Sequence, residues 1–192
     1  LVDREPIQII KHKAAVWTVS FASDTSILTA GAENLIHMWD LKGQKIRTYF
    51  GHQDDVEAIA VSPDGSRMLS ASWDNTAKLW STAEAQELRS IHASYILGDS
   101  TQAKRVRFSA GINTAAISPD RRFIISASQS TATLWTVAGN EEESLTKHDG
   151  EITSVVFTPG SRQLLTAGKD GKAILWSLRG LVKKTIPVES QI

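Results

Sequence analysis

Four tryptophans set the frame of this chain. Trp39, Trp80, Trp135 and Trp176 each end a short run rich in apolar and β-favouring residues, and they stand 41, 55 and 41 residues apart. Ahead of each tryptophan one pattern recurs: Val16/Val19/Phe21, Val56/Ile59/Val61, Ile112/Ala115/Ile117 and Ile152/Val155/Phe157. In three copies a histidine (His12, His52, His148) stands four residues before the first position. The stretch from Gly51 to Ser81 shows the internal order best. Its runs are cut at Ser62-Pro63-Asp64-Gly65, where proline presets φ and glycine accepts a positive φ, and again at Asp74-Asn75. Short runs of this kind bounded by turn residues read as antiparallel strands. A period of roughly 40–45 residues with Gly-His and Trp-Asp punctuation marks one blade of a propeller.

The residues Gly51-His52, Ser62-Pro63-Asp64-Gly65, Asp74, Trp80 and Trp39-Asp40 make the chain resemble the WD-repeat (WD40) family, over nearly its whole length. The resemblance implies an all-β fold: a β-propeller segment of four WD-type blades, each a four-stranded antiparallel sheet, spanning residues 1–192. The blades are expected at 15–50, 56–91, 112–145 and 152–187, with Leu181–Ile186 as the last outer strand. Residues 6–10 match in register the outer strand of a preceding blade. Rings of four-stranded blades close with about four to eight blades, and the resembled family usually closes with seven. Four such blades form an open arc whose ends expose apolar faces. That orphan strand, and a start at Leu1 instead of Met, lead us to expect an incomplete part of a larger ring of about seven blades.

Residues 93–111 interrupt the register as an insertion of 16 residues, since His92 lies 20 residues before Ile112 where the other copies show four. The insertion carries Tyr95, Lys104, Arg105, Arg107 and Phe108, and Arg105–Phe108 alternates like a strand. Blade three is the most degenerate. Ser126 precedes Trp135 by nine residues where Thr29, Ser70 and Thr166 precede their tryptophans by ten, and Gln129 stands where an Asp is expected.

Composition excludes several classes. With 21 basic against 21 acidic residues, nothing drives the whole chain towards nucleic acid or an anionic membrane. The basic residues of the insertion alone are a weak case for phosphate or nucleic acid. Without cysteine there is no disulfide and no thiolate chemistry, which fits a reducing, cytoplasmic setting. No apolar run approaches the roughly 20 residues of a membrane span.

Histidines, hydroxyls and acids in this chain also invite a chemical reading. The resemblance implies instead a buried tetrad in each blade, built from the linking His, a strand Ser or Thr, a turn Asp and the Trp. Carried over residue by residue, blade two offers His52, Ser70, Asp74 and Trp80; blade four offers His148, Thr166, Asp170 and Trp176. Blade one offers His12, Thr29 and Trp39, with Glu33 in place of the acid. Blade three keeps Ser126 and Trp135 only. A His–Asp–Ser set also matches a hydrolase triad, but this set recurs with the blade period, and a nucleophile needs no copies. Metal binding is not expected: the histidines stand about 40 residues apart, with no Cys and no close His pair. No cofactor motif is present.

The expected function is therefore a non-catalytic platform for protein–protein interaction, an inference from family analogy. Two alternatives remain open here: a sensor domain attached to a kinase, a caspase-like protease or a STAND-type NTPase, and an enzyme built on a propeller. Partners are expected at the end that holds the blade links and the turns between second and third strands. Trp17, Glu33, Asp55, Glu57, Trp73, Asn113, Thr153 and Lys169 fall there, and the insertion should rise from it. Asp54, Asp55, Glu57 and Glu33 make the surround acidic, so a basic or aromatic-containing protein or peptide is the expected partner, with neither nucleic acid nor membrane. The plainer reading has Trp17 packing between blades and Trp73 shielding the tetrad. Ring closure calls for remaining blades or a second copy.

Overall fold

A computed structural model of the chain describes residues 8–92, 95–97, 104–106, 111–179 and 182–187. Blade one is β1 (Val16–Ser23), β2 (Ser26–Gly31), β3 (Ile36–Asp40) and β4 (Lys45–Tyr49). Blade two is β5 (Val56–Val61), β6 (Arg67–Ser72), β7 (Thr76–Ser81) and β8 (Glu87–His92). A two-stranded hairpin follows, β9 (Tyr95–Leu97) with β10 (Lys104–Val106). Blade three is β11 (Thr114–Ile117), β12 (Phe123–Ser128), β13 (Thr131–Thr136) and β14 (Glu141–Leu145). Blade four is β15 (Ile152–Phe157), β16 (Gln163–Gly168), β17 (Lys172–Ser177) and β18 (Val182–Pro187). Each blade is an antiparallel meander in sequence order.

Turn chemistry explains the meander. The turn after the second strand places Asn34, Asn75 or Gly171 at φ of 58°, 66° or 70°, a left-handed position that Asn and Gly tolerate best. Blade three has no such residue: Ser128 pairs with Thr131 across a two-residue turn, and Gln129 takes the positive φ of 50°. The innermost strands of blades one, two and four carry a bulge at one shared position, occupied by Trp17, Glu57 and Thr153. A bulge re-aims a side chain at the end of a strand, and these three emerge at the same rim.

Alternation along the strands gives each blade two apolar faces. The front face carries the tryptophan; the back face carries residues one step out of phase. The back face of blade one (Leu28, Ala30, Ile36, Met38, Tyr49) packs against Val56, Met68 and Trp80 on the front of blade two. Blade two repeats this on blade three, and blade three on blade four. Each large side chain so buried contributes about 1.5–3 kcal/mol. Polar contacts pin the first joint: the Tyr49 hydroxyl donates to the Thr82 carbonyl at 2.8 Å, and Ile59 N–H donates to Thr18 Oγ1 at 3.3 Å. Strands β1, β5, β11 and β15 line up side by side; no contact of that extent brings β15 back to β1, so the four sheets form an open row.

Two sequence expectations differ from the structure. Gln8–Ile10 has no strand conformation and pairs with no strand, and the Gln8 side chain lies against Gly43 in the β3–β4 turn, while Pro6 and Ile7 lie outside the described residues. The strand expected at Arg105–Phe108 is instead Lys104–Val106, paired with Tyr95–Leu97; Arg107 and Phe108 lie outside the described residues, as does most of 93–111. Apolar alternation there marked a strand but could not supply its partner. Among the described residues no helix is long and apolar enough to cross a membrane.

Candidate functional site

Two buried hydrogen-bonded chains stand out. In blade two Trp80 Nε1–H donates to Ser70 Oγ at 2.8 Å, Ser70 Oγ lies 2.6 Å from His52 Nε2, and His52 Nδ1 lies 2.7 Å from Asp74 Oδ2. The partners dictate the tautomer. Nδ1 carries the proton facing the carboxylate, so Nε2 accepts from the serine hydroxyl, whose oxygen accepts from the indole. Asp74 also receives the Thr76 hydroxyl at 2.6 Å and the Gln53 N–H at 3.0 Å. Burial pushes the Asp74 carboxyl up, but the His52, Thr76 and Gln53 hydrogen bonds outweigh it and hold the group well below the ordinary carboxylate range. Blade four repeats the chain: Trp176 to Thr166 at 2.9 Å, Thr166 to His148 at 2.7 Å, His148 to Asp170 at 2.9 Å. Burial opposes ionisation of Asp170 too, and bonds from His148, Asp149 N–H and Lys172 N–H overcome it.

Blade one keeps only part of this. Trp39 Nε1 donates to Thr29 Oγ1 at 2.8 Å. Glu33 holds the link through the Lys13 and Ala14 N–H groups, at 2.8 and 3.1 Å, and its other oxygen lies 3.4 Å from His37 Nε2. His37 Nδ1 meets Thr48 Oγ1 at 3.1 Å. His12 packs edge-on to Trp39, ring centres 5.1 Å apart, and its Nε2 is buried without a partner. Burial lowers the His37 pKa, and Lys45 adds to this against the opposing Glu33. In blade three Trp135 donates to Ser126 at 2.9 Å, Gln129 is exposed, and the side chain of His92 lies outside the described residues.

The rim expected to bind partners gathers into two clusters. In blades one and two, Trp17 Nε1 donates to Asp55 Oδ2 at 3.3 Å, Trp73 N–H donates to the Asp55 carbonyl at 2.9 Å, and Glu57 occupies the bulge of β5. Trp17 is 53% and Trp73 54% exposed. Trp73 stands on a fixed base: a side chain at Gly111 would meet its Cα at 2.3 Å, so only glycine lets the next link press against it. In blades three and four, Glu151 accepts from Asn113 at 2.8 Å and from Lys169 at 2.6 Å, and Thr153 Oγ1 donates to the Ala167 carbonyl at 3.3 Å. Glu33 stands apart from both clusters, its carboxylate committed to the link and to His37.

Comparison with known proteins agrees with this arrangement. The family described as WD domain, G-beta repeat (WD40) matches residues 4–40, 43–81, 103–136 and 139–177. The chain belongs to the WD-repeat family. It is 26% identical to eukaryotic translation initiation factor 3 subunit I of Aspergillus fumigatus, over 88% of this chain and 52% of that protein. It is 25% identical to the mouse serine-threonine kinase receptor-associated protein, over 98% of this chain and 63% of that one. With pre-mRNA-processing factor 19 homolog 2 of Arabidopsis thaliana it shares 29% identity over 94% of the chain and 34% of the relative. The chain spans about half the length of the curated relatives it matches.

Two residues of this WD-repeat network escaped the sequence reading. Thr76 donates to the blade-two acid, and the spacing Asp-x-Thr, a common local hydrogen-bond pattern, could have flagged it. His37 sits two residues before Trp39, so strand alternation puts both on one face. His37 and Trp39 line an open cavity of about 320 Å³ with Lys11, His12, Lys13 and Glu33. Among the described residues no group of three His, Cys, Asp or Glu side chains could hold a metal ion.

Proposed function

We propose that this WD-repeat chain is a non-catalytic platform that docks a protein or peptide on the rim carrying Trp17 and Trp73. The observation behind this reading is the pair of half-exposed tryptophans on neighbouring blades, both tied to Asp55, Trp17 through its ring N–H and Trp73 through its backbone N–H. A rigid aromatic group contributes contact area at little entropic cost, and tryptophan is enriched in interface hot spots, where truncation costs about 2 kcal/mol or more. Asp54, Asp55 and Glu57 favour a basic segment with an aromatic residue, whose cation or ring can stack on an indole face. The tetrad geometry supports the non-catalytic reading: the Ser70 and Thr166 side chains are fully buried and already hydrogen-bonded to indole and imidazole, so neither hydroxyl is placed to attack a substrate.

The test is fluorescence polarisation against a peptide array in which Lys/Arg-aromatic sequences are matched with Asp/Glu-aromatic ones. The expected result is preferential binding of the basic set, weakened about tenfold or more by Trp17→Ala and by Trp73→Ala, with the thermal midpoint nearly unchanged. If both variants melt early yet bind like the parent once folded, the rim is structural and the reading fails.

A further inference from the structure

The rim opposite Trp17 and Trp73 carries the turns that join first strand to second and third strand to fourth, and its charge changes sign halfway along the row. In blades one and two these turns hold Asp24, Asp64 and Glu84 against Lys42. In blades three and four they hold Arg121, Arg122, Arg162 and Arg179 against Asp120 alone. Asp120 is spent on its own turn, where it accepts the Ser118 hydroxyl at 2.6 Å and the Arg122 N–H at 3.1 Å. All four arginines are exposed. Arg121 reaches back to Asp64 of blade two; among the described residues the other three make no ion pair. The Arg122 guanidinium lies over the Phe123 ring, 5.6 Å from its centre, and the Arg122 carbonyl accepts the Val137 N–H at 3.0 Å. Asp120 N–H donates to Ser161 Oγ at 2.9 Å, so the turns that bear Arg122 and Arg162 touch. Arg121 takes a φ of 60° at the position that blade two gives to Gly65, a conformation that costs any residue with a Cβ.

We propose that this basic half of the rim docks an acidic protein segment, with Arg122 and Arg162 as its central contacts. A planar guanidinium meets a carboxylate with two parallel hydrogen bonds, which a lysine ammonium does not. Every basic residue in these turns of blades three and four is an arginine, whereas the opposite rim of the same blades carries Lys169 and Lys172. The change of sign along the row fits a short peptide. A phosphate backbone running on past blade three would meet Asp64, Glu84 and Asp24, all of its own charge, whereas a few acidic residues end before them. The surface lies at the other end of the blades from Trp17 and Trp73, so the two rims take ligands of opposite charge and neither blocks the other.

Fluorescence polarisation with a labelled hexaglutamate peptide tests this, in salt of about 0.1 M so that only close charges act. The expected result is binding by the parent chain that falls about tenfold or more in the double variant Arg122→Gln/Arg162→Gln. Both residues are exposed, so the variant keeps the parent's thermal midpoint. Lys169→Gln/Lys172→Gln removes the same charge from the opposite rim and leaves the affinity within about twofold of the parent. Failure of the parent to bind the peptide overturns the proposal. Equal losses from the two double variants overturn it as well, since the peptide then reads only net charge. So does tighter binding of a labelled oligo-dT of equal charge that the arginine variant abolishes, which would assign the surface to nucleic acid.

Discussion

Blades one and two share a strand plan, a linking histidine and a tryptophan bonded to a hydroxyl, yet only blade two completes the chain from indole to carboxylate. Asp74 reaches both the link backbone and His52. Glu33, one methylene longer, keeps the backbone contacts, but its second oxygen ends on His37, four residues on, and His12 is left with a buried nitrogen unpaired. The two jobs of the acid are therefore separable. Tying the link to the turn needs only a carboxylate; orienting the histidine needs one of the right length. A buried polar network gains from being complete and loses when one member is stranded.

The largest expected effect comes from breaking the complete network. Asp74→Ala removes the partner of the buried His52 and Thr76 side chains and of the Gln53 N–H, and should cost about 2–3 kcal/mol. For a chain of this size that is a fall of about 4–10 °C in the thermal midpoint. Glu33→Ala should cost about 1 kcal/mol or less, because its carboxylate is part-exposed and water can take over the link N–H groups. Equal losses from the two variants, read from melts at neutral pH, would erase the distinction between the blades.

Acid should separate the blades next, and at different pH. The folded pKa of His37 is lowered, so the neutral ring is what folding favours. Its contribution is complete above the unfolded value of about 6.5 and is lost as pH falls below it. Glu33, Lys45 and His12 face this ring. Asp74 is an acid with a depressed folded pKa, so its contribution is complete above the unfolded value of about 3.9 and is lost only below that. Hydrogen exchange, corrected for its intrinsic pH dependence, should show blade one loosening between about pH 6.5 and 5 while blade two holds until the carboxylate range. Simultaneous loosening of both blades above pH 5 would contradict this assignment.

How much of this the sequence carries depends on whether the deciding interaction is local. The strands of all four blades are legible because Ser-Pro-Asp-Gly and Asp-Asn turns, alternation and the Ser/Thr-to-Trp spacing lie within a few residues of one another. The β9–β10 hairpin is less so: Gly98-Asp99-Ser100-Thr101 supplies a turn signal, but the strands on either side are three residues long, too short for alternation to mark both. At the site, the family resemblance, carried onto His52, Ser70, Asp74 and Trp80, names the residues that meet in the fold. The fate of His12 is not legible. It turns on where the second oxygen of Glu33 comes to rest, and His37, four residues on, and His12, 21 residues back, both offer it a ring nitrogen that spacing does not rank.

The smallest effect should come from repairing blade one. Glu33→Asp shortens the side chain by one methylene and restores the residue that blades two and four use. The carboxylate then keeps the Lys13 N–H, as Asp74 keeps Gln53 and Asp170 keeps Asp149, and comes within reach of His12 Nδ1. With Nδ1 protonated against the acid, Nε2 becomes an acceptor for the Thr29 hydroxyl, which already receives the Trp39 indole. The gain is one satisfied buried nitrogen, less the loss of the weak contact to His37, which keeps Thr48 at 3.1 Å. That balance is worth about 0.5–1 kcal/mol. The sharper readout is spectroscopic. In the parent chain the ring protons on nitrogen of His52 and His148 should exchange slowly and that of His12 should not, and in Glu33→Asp the His12 signal should join the other two. A stabilised variant in which His12 still exchanges freely would mean that the shorter acid acts through the link alone.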